Sequence, residues 1–147
     1  MLKLSNRGLY GIKALYELAR NYGEAPVAIR EISLRHGLPV PFLEQVLYRL
    51  RMAGIVESRR GTNGGYLLSR PPGEITIGDA VRALEGPIAL CDCLQREDSS
   101  EETERTHGCV TSDIYRRLGR EVEKAFDAVT LLDLASQDSE GVIAGKC

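Results

Sequence analysis

The chain has 147 residues, 43% of them hydrophobic, and a formal net charge of −2, which suits one ordinary domain, or a small domain with an appendage. No run of 18 apolar residues occurs and the first residues lack the long apolar segment of a signal peptide, so the protein is expected to be cytoplasmic, with no membrane partner. The near-neutral total hides an asymmetry: residues 1–73 carry 11 Lys/Arg against 5 Asp/Glu, and residues 74–147 carry 8 against 16, so a polyanion would meet the front half, while the acidic back half can equally be a plain solvated surface.

Residues 5–21 place Leu9, Ile12, Leu15, Tyr16, Leu18 and Ala19 on one helical face. Ser5 or Asn6 can cap its start, and Gly23, Ala25 and Pro26 end it. A short second helix is marked by Ile29, Ile32 and Leu34, with Gly37 where a left-handed C-cap is needed. Leu38-Pro39-Val40-Pro41 turns the chain, and proline is tolerated in a first helical turn. A third helix then runs to about Ala53. Its core face is Leu43, Val46, Leu47 and Leu50; its other face carries Glu44, Gln45, Tyr48, Arg49 and Arg51.

Gly54 stops that helix. Strands are expected from Ile55 to Arg59 and from Tyr66 to Ser69. Gly61, Asn63, Gly64 and Gly65 are expected to supply the positive φ angles of the turn between them. Pro71-Pro72-Gly73 closes the unit. A further helix covers residues 76–85, with Ile77, Ala80, Val81 and Leu84 on one side. Residues 86–110 show no periodicity, and so long a loop is functional or disordered. The last helix begins near Thr111 or Ser112, includes Ile114, Leu118, Val122, Ala125, Phe126 and Val129, and reaches Leu134. The tail after Ser136 is expected to fray.

The expected fold is therefore mainly α with a small β-wing. Residues 1–73 form a winged helix-turn-helix, 74–110 a connecting helix and cysteine loop, 111–136 a dimerisation region and 137–147 a flexible tail. A helix-turn-helix presents its second helix to base edges. Glu44 can accept from cytosine N4, Gln45 can pair with adenine N6 and N7, and Arg49 can reach a phosphate or a guanine. Arg59 and Arg60 stand at the wing tip, where a guanidinium can enter the narrow minor groove. The plainer reading makes Glu44, Gln45 and Arg49 an ordinary wet helix face. The attached wing, the turn spacing and the basic front half favour DNA. Tyr48 lies on the same face and joins the candidate contacts, although Tyr48 and Tyr66 read as half-buried packing residues rather than stacking platforms.

The run from Leu43-Glu44-Gln45 through Arg49-Leu50-Arg51, followed by Arg60-Gly61 and Gly64-Gly65-Tyr66-Leu67-Leu68, resembles the Rrf-two family of bacterial winged-helix regulators. The resemblance covers roughly residues 2–135. It implies a homodimer that crosses its long C-terminal helices and reads a double-stranded operator with two wings. Ile114, Leu118, Val122 and Phe126 form the apolar stripe expected at that interface.

Four cysteines are present, Cys91, Cys93, Cys109 and Cys147. Three fall within 19 residues, which in a reducing compartment points to metal or redox chemistry more than to disulfides. Cluster-binding members of the family carry three cysteines in the corresponding loop, commonly with two five-residue spacers. Cys93 and Cys109 match the outer two by position. Thr103 stands where the middle one would fall, and Cys91 is additional. The set Cys91, Cys93, Cys109 and His107 still offers three soft thiolates and an imidazole, enough ligands for a [2Fe–2S] cluster. Asn6, Arg7 and Gly8 give no carboxylate for a ligand from the first helix, and Asp92 and Asp113 rival His107. The alternatives are free thiols, in a cluster-free regulator controlled by thiol oxidation or a partner protein, and a structural zinc.

A small metal- or redox-binding enzyme is the competing class, and it lacks a catalytic constellation. No Ser-His-Asp set is present, and His36, beside a helix-ending glycine, reads as a surface cap residue. The glycine-rich run 61–65 leads to a strand rather than a helix, unlike a nucleotide-binding loop. A pure interaction module is disfavoured by the wing arginines.

Overall fold

The computed structural model describes residues 3–90 and 112–137. Helix α1 (Asn6–Arg20) begins where the Ser5 hydroxyl accepts from the amides of Arg7 and Gly8. Glu85 completes this cap from another helix: its Oε1 accepts from the Ser5 amide at 3.2 Å, the Gly8 amide at 3.0 Å and the Ser5 hydroxyl. A carboxylate is well placed there, against the positive end of the helix dipole. The core face of α1 is Ala14, Leu15, Leu18 and Ala19. Leu9, expected on that face, is exposed, and Glu17 is buried instead.

Glu17 survives burial because its charge is met. Arg35 Nη1 donates to Oε2 at 2.8 Å, and His36 Nε2 lies 3.0 Å from Oε1. Both partners come from α2 (Ile29–His36), so the pairing fastens α2 to α1. His36 is thus a partly buried partner of a buried carboxylate, not a surface cap residue. Leu34 is 84% exposed and marks no core face. Gly37 ends α2 with φ of 64°, the left-handed cap that its sequence position requires.

The turn into α3 (Val40–Met52) is held by the Leu38 amide donating to the Ser33 carbonyl at 3.1 Å and by the Ser33 hydroxyl donating to the Leu38 carbonyl at 2.6 Å. Pro39 is the N-cap of α3, and Pro41 lies in its first turn, where no amide proton is missed. Leu43, Val46, Leu47 and Leu50 are all buried, as the helical period predicts.

Strands β1 (Val56–Arg59) and β2 (Gly65–Leu68) pair antiparallel, with Val56 opposite Leu68 and Arg59 opposite Gly65. Of the residues expected to turn the wing through positive φ, only Gly61 does so. Asn63, Gly64 and Gly65 do not. Gly64 and Gly65 answer to crowding instead: a Cβ on Gly64 would run into the Arg59 carbonyl, and one on Gly65 into the carbonyl of Val27. That closeness lets Val27 and Tyr66 exchange two backbone hydrogen bonds of 2.9 Å, an isolated antiparallel bridge on the outer edge of β2.

A short 3-10 turn at Pro72–Glu74 leads to α4 (Ile77–Glu85), which opens with a reciprocal capping box between Thr76 and Asp79. Gly11 lets α4 approach α1, since a Cβ there would collide with Leu84. Helix α5 covers Ser112–Asp127 and α6 covers Leu131–Ser136. The last helix is therefore interrupted, where the sequence had suggested continuity. Thr130 and Asp133 form a second capping box that restarts the chain as α6. Val129 lies outside both helices. Its carbonyl accepts from the Ile77 amide at 2.8 Å, and the Leu131 amide donates to Ile75 at 2.9 Å. Leu131 is fully buried in the core built by α1, α3 and α4. The C-terminal segment thus returns to the N-terminal unit. No helix among the described residues is long and apolar enough to cross a membrane.

Candidate nucleic-acid interface

Burial of one face of α3 dictates what the other presents. Glu44, Gln45, Tyr48, Arg49, Arg51 and Met52 are exposed. With Pro41, Ala53 and Ala83, most of them line a shallow open groove of about 870 Å³. Tyr48 is 55% exposed and belongs to this surface, not to the half-buried packing expected of it. Tyr66 is partly buried against the core, as expected.

Arg49, Arg59 and Arg60 are exposed and make no ion pair among the described residues. Arg35, Arg82 and Arg116, by contrast, are all engaged by carboxylates. With no carboxylate partner among the described residues, these guanidinium groups on α3 and the hairpin can meet an outside anion. Along β1 the side chains alternate: Val56 is buried, Ser58 shares its side, and Glu57 and Arg59 point the other way. Arg51 is on the polar face of α3 but outside the set of DNA contacts that the sequence suggests. Its Nη1 donates to Ser58 Oγ at 3.1 Å, and its guanidinium lies 5.6 Å from the Tyr48 ring centroid. The Tyr48–Arg51 spacing of three residues is visible in the sequence; the strand partner is not.

Cys91, Cys93, His107 and Cys109, the candidate cluster ligands, lie outside the described residues, as do Asp92 and Cys147. Asp113 is exposed at the start of α5 and pairs with Arg116 at 3.0 Å. Among the described residues no group of three or more His, Cys, Asp or Glu side chains is placed to hold a metal. On α5, Ile114 and Leu118 are 59% and 48% exposed. Val122 and Phe126 are partly covered, and Phe126 borders an apolar dimple with Ile77, Ala125 and Val129.

The helix-turn-helix, the hairpin beside it and the returning C-terminal helices define a winged-helix transcriptional regulator. The Rrf2 family model, described as "Iron-dependent Transcriptional regulator", matches residues 4–137, and the chain belongs to that family. It is 37% identical over 135 residues to the HTH-type transcriptional regulator CymR of Bacillus subtilis, covering 92% of this chain and 91% of that protein. The structure of CymR, the global cysteine regulator of B. subtilis, superposes with a TM-score of 0.75 at 39% identity over 93% of this chain and 98% of that one. IscR of T. potens gives 0.74 at 35% identity over 99% and 94%. An oxidized form of Staphylococcus aureus CymR gives 0.69 at 31% identity over 91% and 96%. These relatives are transcriptional regulators, and the enzyme alternative falls with them.

Proposed function

We propose that this regulator binds an operator as a homodimer, with Glu44 and Gln45 of α3 reading base edges in the major groove. Arg49 and Tyr48 flank them, and Arg59 and Arg60 carry the wing into the minor groove. The observation that supports this reading most is the juxtaposition of the exposed polar face of α3 with guanidinium groups, on the same helix and the adjacent hairpin, that have no ion-pair partner among the described residues. Phosphate contacts fix the register and base contacts select the sequence. The exposed apolar stripe of Ile114 and Leu118, continued by Val122 and Phe126, is the surface that a second copy would cover.

We propose further that Cys91, Cys93 and Cys109, with His107, sense iron–sulfur or redox status. The donor set fits the group chemically, since three thiolates and an imidazole match the soft ligands a [2Fe–2S] centre takes. A bound cluster would supply ligation that depends on iron and on redox state. The second reading is a cluster-free thiol switch. It is favoured by Thr103 at the middle cysteine position and by the likeness to CymR, of which one related structure is an oxidized form. Anaerobic purification separates the two. A red-brown protein with visible absorption bands and bound iron supports the cluster. A colourless, iron-free preparation that binds the operator in an oxidant-dependent manner supports the thiol switch.

A further inference from the structure

We infer that Arg51 is a positioning residue for DNA reading, one that sets the wing against the recognition helix rather than contacting DNA itself. The inference rests on the proposal that α3 and the wing read one site together.

A two-stranded hairpin is marginal by itself, so the aim of Arg59 and Arg60 depends on what holds β1. The base of the wing is fixed by the backbone: the Ile55 amide donates to the Leu50 carbonyl, and the Ser69 amide to that of Ile55, each at 3.0 Å. On the far strand, Val27 pairs with Tyr66. Past Val56, β1 has one side-chain tie to α3 among the described residues, the 3.1 Å bond from Arg51 Nη1 to Ser58 Oγ. Ser58 immediately precedes the two arginines at issue. The same guanidinium rests over Tyr48, one turn back on the surface that carries Glu44 and Gln45. One planar group therefore touches both reading elements. Lysine can supply the charge but not a plane that stacks while donating sideways.

The test compares the wild-type chain with Ser58→Ala, Arg51→Lys, Arg51→Ala and the Ser58→Ala/Arg51→Lys double variant on one selected duplex across a salt series. Positioning predicts that each single variant weakens binding roughly three- to tenfold, with little change in salt slope. The double variant should lose no more than the worse single one. The loss should shrink the preference for A·T over G·C at wing-contacted flanks and spare the half-site read by α3. Thermal midpoints near wild type for Ser58→Ala would show that the wing's aim, not the fold, has changed. The inference is overturned if Arg51→Lys binds like wild type while Arg51→Ala loses affinity and about one counterion from the salt slope, the signature of a phosphate contact. It is also overturned if Ser58→Ala has no effect. If the wild-type chain itself shows no salt-dependent duplex binding, the reading beneath it has failed.

Discussion

Arg82 and Asp127 lock the end of α5 onto α4. Arg82 Nη2 donates to Asp127 Oδ1 at 2.5 Å across 45 residues of sequence. The Thr76 hydroxyl donates to the same oxygen at 3.3 Å, and Gly78 leaves the space, since a Cβ there would strike the carboxylate. In sequence, Cys91, Cys93 and Cys109 lie between these two helices. The pair is thus one of the contacts that couples a helix following the proposed sensor to the unit carrying α3.

The hydrogen bond from Arg82 holds the Asp127 carboxyl below the usual carboxylate range, and the same bond raises the Arg82 guanidinium. A depressed folded pKa stabilises the protein fully above the unfolded value, near ~4, and that stabilisation is lost as pH falls through the folded value. Both groups are partly exposed, so Asp127→Asn should cost only about 0.5–1 kcal/mol at neutral pH. The difference in thermal midpoint between wild type and variant should be flat above pH ~5 and should close as the pH drops below ~4. A gap that stays open through that range would mean that the pair contributes nothing through its charge.

Gly65 tests the wing. An alanine there must push against the Val27 carbonyl, so Gly65→Ala should break the Val27–Tyr66 bridge at a cost of about 1–3 kcal/mol. Chemical denaturation would show it as a lower midpoint. Hydrogen exchange at the Val27 and Tyr66 amides should accelerate more than at the α1 core.

Much of the fold could be read from periodicity and punctuation. Leu43, Val46, Leu47 and Leu50 follow the helical repeat, and Gly37 sits at a position that demands a left-handed residue. What could not be read was what the chain brings together across long separations. Gly64 and Gly65 look like turn residues, but the constraint on them is the approach of Arg59 and Val27. Glu17 looks like a surface acid until Arg35 and His36 arrive from α2. The break before Leu131 was present as Thr130 and Asp133, a capping pair, but the apolar run through Val129 to Leu134 masked it. In the candidate site, the exposed residues of α3 followed from its buried ones, whereas the tie from Arg51 to Ser58 depends on how the hairpin folds back.

The stripe on α5 makes a prediction about assembly. Leu118→Glu places a charge among Ile114, Val122 and Phe126, where a second copy would otherwise remove apolar surface from water. Sedimentation should then give a monomer, and operator affinity should fall because two half-sites are no longer engaged together. A variant that remains dimeric would place the interface elsewhere.

In the proposed complex, α3 selects bases while the wing arginines supply electrostatic grip. Operator affinity for wild type, Gln45→Ala and Arg60→Ala, measured on a panel of single-base duplex variants from about 50 to 200 mM salt, separates the two roles. Gln45→Ala should lose about 1–3 kcal/mol of discrimination at one base position and keep the salt slope. Arg60→Ala should weaken all duplexes with one wing flank alike and lower the slope by about one per contacted phosphate. An unchanged base-preference profile for Gln45→Ala, together with wild-type binding insensitive to salt, would show that neither α3 nor the wing plays its proposed part.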